Sequence, residues 1–511
     1  MSLPNSGVSL MWLLDGIAAV PPCPADVVDL TLDSREVRTG SLFFALPGGR
    51  AHGLEFCADA AARGASVVLW DPAEAQGHEL PPSLEPGGCH SDGCHAVPVA
   101  GLRHLLGRIA DRFFGSPSAH LCITGITGTN GKTTTAYLLA QALERLEQPA
   151  GYVGTIGWGR LGALHAPSHT TGDVVTVHRQ LAALRAAGAR HVAMEVSSHG
   201  LDQGRVDGVR FHSAAFTNLT RDHLDYHGSM EAYGAAKARL FASEGLQHSV
   251  INIGDAFGRE LARGHRGAAR LTVVWAGDGD AGWLAARSLH ARELKLDLAG
   301  LSMQVGGSFG DQPMRTRLVG RFNAENALIV LGCLLALDVP LDAAVAAVAA
   351  CSAPPGRMEL ITAPQPDRPK AVVDYAHTPD ALAKALGALR EHCGGALWCV
   401  FGCGGDRDAG KRPMMGAIAD ALADEIIVTD DNPRSEDPAA ITAAIAAGIS
   451  RHAVRVIHER GEAIATALGA AAANDLVLIA GKGHEDYQIY GDSRREFSDR
   501  AHAERCLGAA A

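Results

Sequence analysis

Short apolar runs alternate along this chain with longer stretches whose apolar residues recur at helical spacing. That alternation predicts buried, mostly parallel strands with helices packed over them. Near the start, "SLFFAL" (41–46) and "ASVVLW" (65–70) read as strands, and a Pro-rich segment, 81–98, closes the block. From about 105 to 350, "LCITGI" (121–126) precedes the helical "KTTTAYLLAQALERL" (132–146), with further strands at "HVAMEV" (191–196) and "HSVINI" (248–253). An apolar helix over 324–337 and an Ala-rich one end this block. "SAPPGRME" (352–359) reads as a linker. Beyond it, "KAVVDYA", "ALWCVFG", "DEIIVTD" and "DLVLIAG" predict a second mostly parallel sheet. The expected fold class is α/β in three domains, over 1–103, 104–351 and 352–511.

The length supports that division, since 511 residues are too many for one core. The net charge of −11 argues against a broad nucleic-acid surface and leaves room for a local basic pocket. The first twenty residues lack a basic n-region and Asp15 interrupts their apolar run, which predicts a buried or amphipathic helix rather than a signal peptide. The apolar stretch 326–350 is broken by Asp338, Pro340 and Asp342, so no membrane insertion is expected. The expected compartment is the cytoplasm, with the eleven cysteines as free thiols. "GCHSDGCH" brings Cys89, His90, Cys94 and His95 together, but without a second ligand pair a surface loop is expected rather than a zinc site.

"LCITGITGTNGKTTT" carries the most specific local chemistry. Gly125, Gly128 and Gly131 allow backbone N–H groups to close around phosphate, and the helix that follows adds its N-terminal dipole. Lys132 supplies a cation and Thr133 a hydroxyl for Mg²⁺. The strict G-x-x-x-x-G-K-[ST] pattern fails, because Ile126 stands where glycine is required. Nucleoside triphosphate binding is expected; a kinase, a motor ATPase and an ATP-driven ligase all remain open at this point.

Longer motifs narrow the choice: "LDSREVRTGSLFFAL" (32–46), "MEVSSHGLDQGRVDG" (194–208), "FTNLTRDHLDYHGSMEAYGAAKARLF" (216–241), "GRFNAENAL" (320–328), "PPGRME" (354–359), "VDYAHTPDAL" (373–382), "VFGCGGDRDAGKRPMMG" (400–416) and "AGKGHEDYQ" (480–488). In this order, over nearly the whole chain, they resemble the Mur ligases, the cytoplasmic amide-forming enzymes of peptidoglycan precursor synthesis, and their diaminopimelate-adding members most of all. The resemblance implies a UDP-sugar-binding domain, a central ATPase and a C-terminal Rossmann-like domain bringing the amino acid. It implies a reaction in which ATP phosphorylates a peptide carboxylate of UDP-N-acetylmuramoyl-L-alanyl-D-glutamate and the amine of meso-diaminopimelate attacks the acyl phosphate. A monomer working on small molecules is expected, without nucleic acid.

The resemblance also implies roles. Gly128, Thr129, Asn130, Gly131, Lys132, Thr133 and Thr134 would hold the phosphates, with Asn323 near the adenine and Arg357, Asp374 and His377 approaching from the C-terminal domain. Glu195 and His223 would join Thr133 as Mg²⁺ ligands. Lys237, read alone, is a surface lysine; the family carries a carbamylated lysine there, a cofactor made from CO₂ that turns an ammonium into a metal-binding anion. Leu32, Ser34, Gly49, Arg50 and Ala51 map onto the uridine end of the sugar substrate. Thr170, Thr171, Ser197, Gln203 and Arg205 map onto its pyrophosphate and peptide end. His169 departs from the family's usual asparagine and is not assigned, and His199 is expected to be packed.

"TDDNPRSEDP" (429–438) completes the series. Diaminopimelate has a second zwitterionic centre where lysine has only an amine, so selecting it takes a cation and anions together. Asp431, Asn432, Pro433 and Arg434, with Arg407, Gly481 and Glu485, would form that cage. The lysine-adding relative and a folylpolyglutamate synthase are the alternatives within the class; a non-ligase ATPase and a UDP-sugar-binding module lie outside it.

Overall fold

The apolar runs assemble into three main sheets, seen in a computed structural model that describes residues 7–49, 51–75, 77–80, 84, 93–166, 170–277 and 287–509. In the first, Asp29–Thr31, Ser41–Ala45, Val67–Trp70 and His95–Pro98 pair in that order, all parallel. The end of the Pro-rich segment is therefore a strand. Cys94 is buried and His95 donates its N–H to the Ser66 carbonyl; Cys89 and His90 lie outside the described residues, as does Arg50. The early apolar run forms a short helix, Leu10–Leu14, burying Leu10, Leu13 and Leu14.

Among the described residues the central sheet has ten strands. Its middle runs Ser213–Phe216, Cys122–Thr127, His191–Glu195, Ala150–Gly154, all parallel. Strands His248–Asn252, Arg270–Ala276 and Arg287–Asp297 extend it in parallel on one side. Gly300–Gly307 and Gln312–Thr316 then close that edge antiparallel, and Gly157–Arg160 does the same at the other. Helix Phe322–Leu335 is buried on nearly every side because it packs between the sheet and the helices Lys132–Arg145 and Leu341–Ala349. Among the described residues, no helix is long and apolar enough to cross a membrane.

The third sheet runs Glu359–Thr362, Lys370–Asp374, Leu476–Ala480, Leu397–Phe401, Glu425–Val428, Arg455–Val456. All its pairs are parallel except the first. The strand order doubles back across the chain order, and in such sheets the loops at the carboxyl ends of the strands form the ligand crevice.

Specific polar contacts tie the sheets together. Arg179, on the central helix Val174–Ala186, meets Asp29 Oδ1 at 2.8 Å and the Leu30 carbonyl at 2.6 Å, just upstream of Leu32 and Ser34. On the other side His392 Nε2 accepts from the Gly320 N–H at 2.8 Å, so its Nδ1–H donates to the Asp297 carbonyl at 2.7 Å.

Candidate functional site

Strand register builds the centre of the site. Glu195 ends its strand opposite Ile126, and Phe216 ends the other neighbour opposite Thr127. The carboxylate therefore arrives beside the loop that leaves the central strand. Ile126 and Gly125 are strand residues, and a Cβ on Gly125 would lie 2.8 Å from the Phe211 ring. The loop itself turns on Gly128 (φ 147°) and Gly131 (φ 85°), and helix Lys132–Arg145 begins immediately after. A side chain on Gly128 would strike the Thr217 hydroxyl.

Glu195 is fully buried and closely held. Thr133 Oγ1 donates to Oε2 at 2.9 Å, the Thr155 N–H to Oε1 at 2.8 Å, and the Tyr152 hydroxyl to Oε1. Burial and the adjacent carboxylate raise the Tyr152 phenol well above its ordinary range, so it remains a donor. These contacts open onto a cavity of about 480 Å³. Its lining includes Thr129, Asn130, Gly131, Lys132, Thr133 and Thr134 from the loop and helix. Thr170, Thr171, Ser197, Arg205, His223 and Arg357 complete it, with Thr155 and His199. A larger cleft of about 1810 Å³ lies elsewhere, at the amino ends of the central strands near Cys122, His191 and His212.

The residues on the opposite wall of the cavity form a connected set. Arg205 donates to the Thr171 carbonyl at 2.9 Å, and both its Nε and Nη2 reach Gln203 Oε1. Thr171 Oγ1 accepts from the Ser197 N–H at 3.1 Å, and Thr155 Oγ1 bridges to Thr170 Oγ1 at 3.1 Å. A cationic, hydroxyl-rich wall thus faces the phosphate loop, the composition a polyanion requires.

Lys237 lies behind the loop rather than at the surface. It is 1% exposed, and its Nζ donates to the Gly128 carbonyl at 2.7 Å; Lys132 reaches the same oxygen at 2.9 Å. Burial first, then the Lys132 charge, lowers the Lys237 amine to about 6. His223 adopts φ 51° and is half exposed. His199 packs edge-on and tilted against the rings of His223, Tyr226 and His227, and burial followed by the neighbouring His223 holds it below the ordinary imidazole value.

Several expected residues stand apart from this cavity. Asn323 is buried, donating to the Val319 carbonyl and accepting from Asn326. Asp374 accepts from the Met358 N–H at 2.8 Å, beside Arg357, whose guanidinium lies 4.8 Å from the Tyr375 ring centre. His377 is exposed, its Nδ1 donating to the Tyr375 carbonyl. Ser34 is buried in a short 3-10 helix after Leu32, and Gly49 and Ala51 lie in a turn closed by the Gly48 N–H to the Ala51 carbonyl.

A second cluster collects at the carboxyl ends of the third sheet, where the loops after Phe401, Val428 and Ala480 converge. Asn432 Nδ2 donates to Glu485 Oε2 at 3.0 Å, and Arg434 Nη1 donates to the Gly405 carbonyl at 2.7 Å. Arg434 has φ 54°, a cost for a side chain with a Cβ. The backbone is held there from both sides: its N–H donates to Ile489 and its carbonyl accepts from Gly491. Asp431 is buried, which raises its carboxyl; Pro433 is buried beside it, and Arg407 is exposed at the rim. Gly481 has φ 117°, and a Cβ there would lie 2.6 Å from Asp431 Oδ2.

Tyr152, Thr155, His199 and the fully buried Lys482 are the site residues that sequence reasoning did not select. For the first two a signal existed: "GYVGTIGWG" ends a strand on a threonine among glycines, next to the strand that carries Glu195.

Among the described residues, no three His, Cys, Asp or Glu side chains converge as a metal centre. Thr133 and Glu195 nevertheless present adjacent hard oxygen donors, with His223 on the same cavity. That set fits Mg²⁺, which keeps several waters and substrate phosphates among its ligands.

Sequence models of the Mur ligases match three stretches of the chain: "Mur ligase family, catalytic domain" over 27–114, "Mur ligase middle domain" over 126–334 and "Mur ligase, glutamate ligase domain" over 356–483. The UDP-N-acetylmuramoyl-L-alanyl-D-glutamate--2,6-diaminopimelate ligase of Pseudomonas aeruginosa is 51% identical over 482 residues, covering 94% of this chain and 95% of its own. Its counterpart in Xanthomonas campestris pv. campestris is 48% identical over 505 residues, 98% of each chain. A solved structure of a ligase with the same name superposes with a TM-score of 0.71 at 35% identity, covering 98% of this chain and 99% of its own.

The Tyr152 contact is testable in isolation. Tyr152→Phe leaves a buried carboxylate short of one donor, so urea unfolding should show a loss of about 1.5–3 kcal/mol. An unchanged midpoint would mean that the phenol does not support Glu195.

Proposed function

This chain belongs to the Mur ligase family, and on that footing we propose that it joins meso-diaminopimelate to UDP-N-acetylmuramoyl-L-alanyl-D-glutamate, converting ATP to ADP and phosphate. It is an ADP-forming ligase of peptidoglycan precursor synthesis. The observation that carries the reading is the meeting of Thr133 and Glu195 in a cavity shared by the phosphate loop, Arg205 and Arg357. We place it in the cytoplasm, acting as a monomer on small-molecule substrates.

A carboxylate is a poor electrophile, and its oxygen is a poor leaving group. Transfer of the γ-phosphoryl group to that oxygen corrects both. The amine nitrogen then attacks the carbonyl carbon, the C–N bond forms, the C–O bond to phosphate breaks, and the nitrogen loses a proton. The first step is mainly positioning and charge neutralisation. The loop N–H groups and Lys132 would hold the ATP phosphates, while Arg205, Thr170 and Thr171 would present the carboxylate from the opposite wall. Thr133, Glu195, His223 and a carbamylated Lys237 would hold Mg²⁺, which when bound neutralises phosphate charge. Arg357 enters the cavity from the segment leading into the third sheet, so the amino-acid domain contributes to the phosphate site. Closure around it would keep water from the acyl phosphate.

Arg434 and Asn432 would take the distal carboxylate of diaminopimelate, with Arg407 at the rim. Asp431 and Glu485 would take its distal ammonium. The tight approach at Gly481 and the stiffness at Pro433 reduce the ordering required on binding.

Phosphate release, followed while single amino acids are scanned, tests the proposal. Turnover should require ATP, the UDP-dipeptide and diaminopimelate together, with lysine poorer by at least about a hundredfold. Steady ATP hydrolysis without an amino acid would contradict it. The lowered Lys237 amine gives a second outcome. Above about pH 6 it is a neutral nucleophile for CO₂; below, it is an ammonium that does not react. ¹³C-bicarbonate should therefore produce a carbamate resonance that fades as pH falls through 6 and is missing from Lys237→Arg. A signal retained in that variant, or none in the parent enzyme, would remove the carbamate from the mechanism.

A further inference from the structure

We propose that Lys482 is a positioning residue that sets both the charge and the hydrogen-bond polarity of the amino-acid cage, and thereby the choice between a zwitterionic and a plain ammonium far end. The inference rests on the function proposed above. Lys482 is 0% exposed, so its cation must be compensated inside the protein. Its Nζ donates to Asn432 Oδ1 and to Glu485 Oε2, each at 3.2 Å, and lies 5.3 Å from the centre of the Tyr487 ring. With the Asn432–Glu485 bond at 3.0 Å, the three side chains close a triangle.

The triangle dictates what remains for a ligand. Asn432 Oδ1 accepts from both Lys482 and the Ile489 N–H, which fixes the amide with Nδ2 toward Glu485. One Nδ2 hydrogen is used there and the other is left. Glu485 Oε2 accepts twice, and among the described residues nothing donates to Oε1. One donor and one anionic acceptor are therefore presented side by side, the complement of a carboxylate next to an ammonium.

Charge points the same way. Asp431, buried close by, feels Arg460 and then Lys482 as stabilising cations, and Glu485 and Asp499 as repelling anions. Arg460 is bound bidentately to Asp499, whereas Lys482 contacts Glu485 directly. Without Lys482, Glu485 would lose the cation it touches and Asp431 one of the two that stabilise it, a more negative wall that favours a plain ammonium over a zwitterion.

Lys482→Met and Lys482→Gln, assayed with diaminopimelate and with lysine at saturating UDP-dipeptide and ATP, test this. The glutamine keeps a donor and removes the charge. Both variants should raise the KM for diaminopimelate by about tenfold or more, with kcat and the KM for ATP within about threefold. The diaminopimelate-to-lysine ratio of kcat/KM should fall by at least about tenfold. Equal losses on both amino acids, an unchanged ratio, or failure of both variants to fold would overturn the inference and assign Lys482 to the fold alone. A parent enzyme that ignores diaminopimelate would instead refute the proposed function, before any variant is compared.

Discussion

One register governs this protein. The strand His191–Glu195 lies parallel to Cys122–Thr127 with Glu195 opposite Ile126, so a buried carboxylate ends where the phosphate loop begins. A shift of a single residue would turn that carboxylate to the other face of the sheet. The Thr133 bond, the Tyr152 and Thr155 donors and the cavity in front of them all presuppose this alignment. The buried Lys237, which shares the Gly128 carbonyl with Lys132, presupposes the loop conformation that follows from it.

The third sheet applies the same constraint to different chemistry. Parallel strands bring their carboxyl ends to one edge, and here that edge gathers Asp374, Arg407, Asn432, Arg434 and Glu485. Arg357 connects the two regions, sitting over Tyr375 while lining the phosphate cavity. The cavity at Thr133 and Glu195 and the cluster at Asn432 and Glu485 thus stand at separate strand edges, each shaped by its own loops. Arg179 ties the first sheet to the central helix, binding the Asp29 carboxylate and the Leu30 carbonyl next to the expected uridine-binding stretch.

Much of this was legible in the sequence because fully buried parallel strands are written as uninterrupted apolar runs. "LCITGI", "HVAMEV" and the four C-terminal runs are strands where the pattern predicts them. The strands over 287–316 carry no comparable run, because exposed polar residues interrupt Arg287–Asp297 and Gln312–Thr316 and dilute their apolar signal. Gly125 resembles a loop glycine in sequence, yet it serves packing against Phe211; only the register separates it from Gly128. Tyr152 and Lys482 escaped for a different reason. Their partners, Glu195 and Asn432, are distant in the chain, and a polar side chain's burial is a property of the fold rather than of its neighbours in sequence. Lys237 shows the converse: its helical context reads as surface, while the structure buries it.

The chemistry proposed for this site moves a phosphoryl group onto a substrate carboxylate. Labelling the dipeptide's reacting carboxylate with ¹⁸O and analysing the inorganic phosphate by mass spectrometry tests it directly. Formation of an acyl phosphate predicts that each phosphate released on amide formation carries one ¹⁸O atom from the peptide. Unlabelled phosphate, with the ¹⁸O lost from the carboxylate recovered in water instead, would contradict it.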